Sequence, residues 1–131
     1  MPRHDDLFDF SPEALKRVQQ VTYKGLEHSY IGTAEPNTIF SFGLVLDPKL
    51  RGQGIHEEYI QKLNEHCDAT GTTRIAMLGP RGGMPLDKLI EFYRARGFET
   101  RGEIKEFTDA AGVKHPYVDV IRRPQPPDAP P

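Results

Sequence analysis

Residues 51–56 read Arg51-Gly52-Gln53-Gly54-Ile55-His56, and this loop stands between an apolar run and a region of helical periodicity. Before it comes Ile39-Phe40-Ser41-Phe42-Gly43-Leu44-Val45-Leu46, which predicts a central β-strand because buried strands contain few polar residues. After it, one apolar stripe recurs with the period of an α-helix from about Gln53 to Ala69, and Gly71 ends that helix. The stripe consists of Ile55, Tyr59, Ile60, Leu63 and Cys67. The order strand, glycine-containing loop, helix decides the fold.

The loop is a candidate anion site because of its position at a helix start. The first N–H groups of a helix have no partner within it, and the helix dipole adds partial positive charge. Gly52 and Gly54 lack side chains, so a pyrophosphate can approach the backbone closely. The dinucleotide-binding fingerprint is excluded since no third glycine precedes Gly71, and the Gly-Lys-Ser/Thr of nucleoside-triphosphate loops is absent.

Upstream of the central strand, the local signals predict two strands and a helix. A short strand is predicted at Leu7–Phe10, and Ser11-Pro12-Glu13 predicts a helix that runs to Gly25. Leu26–Ile31 reads as a strand, followed by a turn at Pro36-Asn37. We therefore expect a helix and a strand to lead into the central strand.

Downstream, a strand, a helix and a final pair of strands are predicted. The strand is Thr73–Leu78, and a loop at Gly79–Gly83 separates it from a helix that opens at Pro85. This helix has the apolar face Leu86, Leu89, Ile90 and Tyr93, and Gly97 is expected to end it in a left-handed conformation with Phe98 folded back. Two antiparallel strands, Phe98–Thr108 and Val113–Arg122, are joined by a turn at Asp109–Gly112. The fold class is mixed α/β, a central sheet flanked by helices.

Composition restricts the class of protein. The chain has 131 residues, 37% of them apolar, and a net charge of −2, so we expect a single folded domain over residues 1–123 and no nucleic-acid binding. Residues 124–131 contain five prolines and predict a disordered, proline-rich tail. The chain has no apolar run of membrane-spanning length and no secretion signal, so a cytoplasmic location is expected. The five histidines show no metal-ligand spacing, and no metal is expected.

Two motifs together resemble the GNAT acetyltransferase family. The first is Arg51-Gly52-Gln53-Gly54-Ile55 behind Val45-Leu46-Asp47-Pro48, which is similar to the family's Arg/Gln-x-x-Gly-x-Gly/Ala after a strand. The second is Phe92-Tyr93-Arg94-Ala95-Arg96-Gly97-Phe98, which is similar to the family's Tyr-x-x-x-Gly-Phe. The resemblance covers about Phe40 to Arg122 and departs from the family pattern at His56, where Gly or Ala is usual, and in a short N-terminal part.

The resemblance implies transfer of an acetyl group from acetyl-CoA to a primary amine. It implies that Tyr93 protonates the departing thiolate and that the end of the central strand contacts the acetyl group. The residues expected to bind acetyl-CoA are Leu44, Val45, Leu46, Arg51, Gly52, Gln53, Gly54, Ile55 and His56. Glu35 and His28 are candidate bases by location only.

Two function classes have support in the sequence at this point, and a third, a small-molecule sensor that binds an acyl-CoA, has no separate support. One is a catalyst whose acceptor is a protein N-terminus, a lysine, a polyamine or an antibiotic amine. The other is a GNAT-fold protein without catalysis that acts by binding or inhibiting a partner protein, which His56 and the short N-terminal part favour. A shortened domain with an exposed sheet edge would also gain from forming a homodimer.

Overall fold

A computed structural model describes residues 7–79 and 85–125 of the chain. Two compact units are formed: one runs up to Arg74 and includes Pro124 and Gln125, and the other spans Ile75–Arg123. The strands are β1 (Gln19–Tyr23), β2 (Leu26–Gly32), β3 (Thr38–Leu46), β4 (Thr73–Leu78), β5 (Glu99–Thr108) and β6 (Lys114–Arg122). The helices are α1 (Ile55–Thr70) and α2 (Leu86–Arg94), with short 3₁₀ turns at Ala14–Lys16 and Pro48–Leu50. The predicted fold class, mixed α/β with a central sheet flanked by helices, is confirmed, and the pairs β1–β2, β2–β3 and β5–β6 are antiparallel.

The first unit is an antiparallel sheet in the order β1-β2-β3 with α1 packed on one face. The stripe predicted for α1 is buried in full, and Gly71 ends the helix with a φ of 68°. Cys67 is one of these buried residues, as expected of a small thiol on an apolar face. Phe8, Leu26, Tyr30 and Ile39 complete the core against which the helix packs. The predicted strand β2 and the turn before β3 are also confirmed.

The helix predicted from Ser11 to Gly25 is wrong beyond its first turn. Ser11 does act as a cap, since its Oγ accepts a hydrogen bond from Ala14 N at 3.3 Å, but only one 3₁₀ turn follows. Val21-Thr22-Tyr23 then lie in β1, because β-branched and aromatic side chains suit a strand that pairs along its whole length with β2. The strand predicted at Leu7–Phe10 is absent too, and Phe8 packs instead into the core against Tyr59.

Gly25 ends no helix but forms the turn between β1 and β2. Lys24 and Gly25 both have positive φ, 48° and 85°, and they connect the partners Tyr23 and Leu26. Two successive positive-φ residues are the signature of the type I′ hairpin turn, whose twist matches that of the flanking strands. The hairpin places Lys24 at the tip of the sheet.

The second unit contains β4 from Ile75 onward, followed in the sheet by β6 and β5, and helix α2; its core includes Ile90, Val118 and Val120. β5 and β6 pair antiparallel as predicted. α2 presents Leu86, Ile90 and Tyr93 to the core as predicted. Of the predicted tail, residues 126–131 lie outside the described residues, while Gln125 N donates to Asp68 Oδ1 at 2.8 Å. The loop predicted at Gly79–Gly83 lies outside them from Pro80 onward.

Candidate cofactor-binding site

A β-bulge interrupts β3 shortly before the glycine loop. Glu27 on β2 is opposite Val45, but Ser29 is opposite Phe42, so the single residue His28 faces two residues on β3, Gly43 and Leu44. The extra residue also inverts the facing of the strand: Ile39 contributes to the core before the bulge, and Leu44 and Leu46 pack against that core after it. Bulges break the regular ladder and re-aim the backbone. Part of the predicted acetyl-binding segment Leu44–Leu46 therefore lies in the bulge itself.

The loop after β3 is ordered by its own backbone and by Asp47. Asp47 Oδ1 accepts from Lys49 N at 3.0 Å, and Asp47 O accepts from Leu50 N at 2.9 Å. Gly52 and Gly54 then adopt φ angles of 82° and 77°, which L-residues rarely adopt. A Cβ at either glycine would have no atom within 4 Å. The backbone thus requires both glycines, and the space above them is open to a ligand.

Helix α1 begins directly after Gly54 and presents its N-terminus to this open space. Glu58 N donates to Gly54 O at 3.0 Å, and by helix geometry the N–H groups of the preceding turn have no carbonyl acceptor within the helix. The 16 residues of α1 give the end a partial positive charge. Ile55 anchors the turn in the core, whereas Arg51 and Gln53 are exposed and His56 is half-buried. This arrangement is suited to binding a pyrophosphate.

The β1–β2 turn contacts the first turn of α1, a relation that the sequence patterns did not predict. Tyr23 Oη donates to Glu58 Oε1 at 2.8 Å, and Lys24 Nζ lies 3.1 and 3.0 Å from the two carboxylate oxygens of Glu58. The hydrogen bonds donated by Tyr23 and by Lys24 lower the pKa of Glu58, and the hydrogen bond that Lys24 donates to Glu58 raises the pKa of Lys24. Gly25 sits against the Leu50 side chain, so a Cβ there would clash with Leu50. The hairpin therefore contacts Leu50, before the two loop glycines, and Glu58, after them.

His28 does not reach the candidate site as a base. Its ring is 1% exposed, and its Nδ1 lies 2.6 Å from Tyr59 Oη in the core. Burial, together with the positive charge of Arg74, lowers the pKa of His28 to about 3. Arg74 is itself buried and donates from Nε to Ser41 Oγ at 2.8 Å. The structure thus makes His28 a neutral core residue and removes it from the candidate bases.

Glu35, the other candidate base, lies at the far end of α1. It lines a groove of about 1070 Å³ between the chain before β1 and the β2–β3 turn, together with His66 and Thr70 from the last turns of the helix. A helix of 16 residues is about 24 Å long, so the groove and the glycine loop are at opposite ends of α1. Glu35 is therefore placed away from the glycines.

The face of the β1-β2-β3 sheet opposite α1 carries a carboxylate next to apolar side chains. Phe40 and Phe42 stack with ring centroids 6.0 Å apart, and Phe42 and Val45 are 38% and 55% exposed. Glu27 is exposed and is the β2 partner of Val45, one residue from the bulge. On β2, Leu26 faces the core and Glu27 faces the opposite side of the sheet. The bulge next to Glu27 was not predicted from the sequence. We refer to Glu27, Phe40, Phe42 and Val45 as the outer face.

Tyr93 belongs to the second unit and is 4% exposed. Its ring meets that of Phe98 edge-on at 5.1 Å. Phe98 N donates to Tyr93 O at 3.1 Å and Gly97 N to Arg94 O at 3.1 Å, with Gly97 at a φ of 92°. These two bonds and the ring contact are a Schellman helix end, which accounts for the spacing Tyr-x-x-x-Gly-Phe by helix termination alone. A catalytic role of Tyr93 stays a prediction.

Two further properties concern the described part of the chain only. Residues 7–79 and 85–125 bring no three His, Cys, Asp or Glu side chains together in a group able to hold a metal ion. Within the same ranges, neither helix has the length and apolar character needed to cross a membrane.

The chain is similar to known proteins both in its sequence profile and in its fold. The sequence profile of the acetyltransferase (GNAT) family matches residues 18–98, while no curated protein is significantly similar in sequence. In fold, the chain is similar to the ribosomal-protein-S18-alanine N-acetyltransferase from Escherichia coli, with a TM-score of 0.60, 15% identity and coverage of 95% of this chain and 84% of that chain. It is also similar to an aminoglycoside 6′-N-acetyltransferase complexed with coenzyme A (TM-score 0.57, 14% identity, coverage 87% and 79%). A third similar structure is a phosphinothricin acetyltransferase from Sinorhizobium meliloti in complex with AcCoA (TM-score 0.57, 20% identity, coverage 81% and 58%).

Proposed function

Since the chain belongs to the acetyltransferase (GNAT) family, we propose that it transfers an acetyl group from acetyl-CoA to a primary amine. The observation that carries the proposal is the sequence of a β3 bulge, two positive-φ glycines and an open helix N-terminus within residues 43–56. These elements suit an anionic thioester substrate. The strand backbone redirected by the bulge can contact the acetyl group, and the helix end with its partial positive charge can bind the pyrophosphate. Two of the proteins similar in fold were solved with coenzyme A or AcCoA.

The pyrophosphate is assigned to the N–H groups of residues 52–56. The open space above Gly52 and Gly54 permits phosphate oxygens to approach the backbone, and Arg51 adds a positive charge at the rim. His56 stands in the first turn, where the family has a smaller residue, and we assign it a hydrogen bond to a phosphate oxygen. The backbone of Leu44, Val45 and Leu46 is assigned to the acetyl and pantetheine end, because it leads from the bulge into the loop.

The reaction needs a group that stabilises the carbonyl oxygen, a proton donor for the thiolate and a base for the amine. The amine nitrogen attacks the thioester carbonyl carbon, and a backbone N–H at the bulge stabilises the negative charge that develops on the carbonyl oxygen. As the C–N bond forms, the C–S bond breaks, the leaving thiolate takes a proton from a donor on the chain, and the nitrogen releases a proton that returns to that donor through solvent. Tyr93 is assigned as the donor of that proton by its position in the family motif, and a phenol has a suitable ordinary pKa of about 10.

The acceptor amine is assigned to the outer face. The inner side of the bulge is filled, because Leu26, His28 and Tyr59 are at most 1% exposed there. A second molecule can therefore approach the strand at the bulge from the side of Phe42 and Val45. Glu27 is the carboxylate on that side, and it can hold the ammonium form and accept its proton before attack. The stacked Phe40 and Phe42 favour an amine with an apolar body.

His56 supports one alternative, a GNAT-fold module that binds a protein partner without catalysis. His56 is the second residue of α1, the motif position where the family has Gly or Ala, and it therefore lies beside the proposed pyrophosphate-binding site. An obstructed seat would leave the fold intact while abolishing transfer. The two functions differ in a property that can be measured directly.

The experiment that tests the proposal is an assay of thiol release from acetyl-CoA against a panel of primary amines. The panel should include an aralkylamine, a polyamine, an aminoglycoside and peptides with free N-terminal or lysine amines. We expect amine-dependent release, highest with the aralkylamine. A purified, folded chain that releases thiol with none of them would reject catalysis and favour the binding module.

A further inference from the structure

Negative side chains lie close to the proposed pyrophosphate-binding site, and a contact from the β1–β2 turn neutralises one of them. The first turn of α1 carries two carboxylates, Glu57 and Glu58. Acidic side chains suit an empty helix N-terminus because they interact well with its dipole. They oppose a bound pyrophosphate, since like charges within a Debye length of about 10 Å repel each other. A seat for an anion in this position needs a means of neutralising the carboxylates nearest to it.

Glu58 is neutralised by the hairpin turn. Lys24 Nζ contacts both of its carboxylate oxygens at 3.0 and 3.1 Å, and Tyr23 Oη donates to one of them at 2.8 Å. The contact joins residues 34 positions apart in the chain. Lys62, one turn further along α1, lies over the Tyr23 ring at 6.0 Å and adds a second positive charge beside the cluster. For Glu57, which is exposed, the described part of the chain shows no such ion pair.

The backbone at Lys24 is a second, independent observation. Lys24 has a φ of 48°, in the left-handed region, where a residue with a long side chain is uncommon. Asn, Asp or Gly is preferred at this position of a type I′ turn. A strained residue persists when the surrounding contacts determine it, and such strain concentrates at functional sites. The contacts here are those of the ammonium group with Glu58.

The turn is also held against the loop that carries the glycines. Gly25 packs against Leu50, and a Cβ at Gly25 would displace the Leu50 Cδ1 methyl group. Leu50 ends the 3₁₀ turn immediately before Arg51 and Gly52. Lys24 is therefore fixed relative to both the start of α1 and the loop before it, which a lone surface ion pair would not be.

From these contacts we infer that Lys24 is a positioning residue for the cofactor seat: it holds Glu58 and cancels its negative charge, so that the helix N-terminus can accept a pyrophosphate. The inference rests on the proposed function, since it presupposes that coenzyme A binds at residues 52–56. It adds that affinity depends on a residue of the hairpin that touches no part of the glycine loop itself. It also separates the two carboxylates, because only the charge of Glu58 is masked.

A double-mutant cycle tests the inference, with coenzyme A binding measured by calorimetry at low and high salt. Lys24→Gln removes the charge and leaves a polar side chain that is one atom shorter, and it should weaken binding about two- to fivefold at low salt and less at high salt. Glu58→Gln keeps an acceptor for Tyr23 and leaves the charge of Lys24 unpaired, so it should not weaken binding. The double variant Lys24→Gln/Glu58→Gln, which removes both charges of the pair, should bind with the wild-type affinity. Glu57→Gln should tighten binding by a similar factor, since its charge is not masked.

Lys16→Gln is the matched control, because Lys16 forms an exposed ion pair with Glu13 at 3.5 Å elsewhere in the same unit. It should not change the affinity. If the double variant binds as weakly as Lys24→Gln alone, Lys24 acts on coenzyme A directly and the inference is overturned. If Lys24→Gln has no effect while the wild type binds coenzyme A, the inference is overturned and the proposed function stands. A wild type that does not bind coenzyme A overturns both.

Discussion

Lowering the pH from 7 to 4.5 perturbs one group in the core, the buried imidazole of His28. Folding holds the pKa of His28 at about 3, below the ordinary value of 6.5, because burial and then the charge of Arg74 oppose a second positive charge. The unfolded chain takes up a proton below about pH 6.5, whereas the folded chain does so only near pH 3. The contribution of neutral His28 to stability is therefore complete above pH 6.5 and is lost as the pH falls from 6.5 towards 3.

The magnitude follows from the width of this interval. Each pH unit within it costs about 1.4 kcal/mol of unfolding free energy. Two units separate pH 6.5 from 4.5, so His28 alone should lower the free energy of unfolding by roughly 2–3 kcal/mol between pH 7 and 4.5. This is a large share of the ~5–15 kcal/mol by which domains are stable.

Urea unfolding at the two pH values measures the effect. His28→Asn keeps a hydrogen-bonding group for Tyr59 and removes the titration, so its loss of stability should be smaller by about 2–3 kcal/mol. His115→Gln, which replaces a half-exposed histidine of the second unit, should retain the drop caused by His28. Equal pH dependence in the wild type and His28→Asn would refute the burial of a neutral ring and return His28 to the candidate bases.

Three further substitutions test individual assignments at the site. Tyr93→Phe keeps the ring contact with Phe98, so stability and acetyl-CoA affinity should change little while kcat falls by about 10²-fold; an unchanged kcat would show that another group protonates the thiolate. Glu27→Gln should lower kcat/KM for the amine by about 10²-fold without changing acetyl-CoA affinity, whereas Glu35→Gln in the distant groove should be neutral, and the reverse pattern would contradict the assignment of the outer face. His56→Gly should weaken acetyl-CoA binding by about 1–3 kcal/mol if the imidazole donates to a phosphate, and tighter binding would identify it as an obstruction.

Much of the fold could be predicted because local signals and tertiary packing agree. In α1, the apolar stripe, the glycine before the helix and Gly71 after it all indicate the same helix, and the structure buries the whole stripe. At the end of α2, Gly97 and Phe98 form the predicted left-handed stop and ring contact. In each case the residues that decide the structure are within a few positions of one another.

The first strand was not predictable in the same way. Ser11-Pro12 is a strong helix start, and it does cap one turn, but the signal does not say how long the helix continues. Lys24-Gly25 lacks the Asn-Gly or Asp-Gly that usually indicates a type I′ turn. The lysine is favoured there by Glu58, 34 residues away, a contact that no local pattern contains.

At the candidate site, too, features set by neighbouring residues were predicted and features set by distant contacts were not. Gly52, Gly54 and the start of α1 follow from adjacent residues and were predicted. The bulge at Gly43 and Leu44 depends on how β3 pairs with β2, and an extra residue in a ladder leaves no signature in an apolar run. The position of Glu27 beside Val45 and the inward position of His28 both depend on this pairing, which is why the sequence alone did not indicate Glu27 as a candidate.

A calorimetric titration with acetyl-CoA of the wild type, Gly54→Leu and Gly71→Leu tests the central assignment most directly. Gly54 and Gly71 lie at opposite ends of α1, both with positive φ, and a Cβ added to either glycine would meet no atom within 4 Å, so leucine strains both positions alike. We predict that the wild type and Gly71→Leu bind acetyl-CoA with similar affinity, while Gly54→Leu binds at least tenfold more weakly, about 1.4 kcal/mol. Unchanged affinity in a folded Gly54→Leu variant, or no binding by the wild type, would contradict the assignment of the pyrophosphate to the glycine loop.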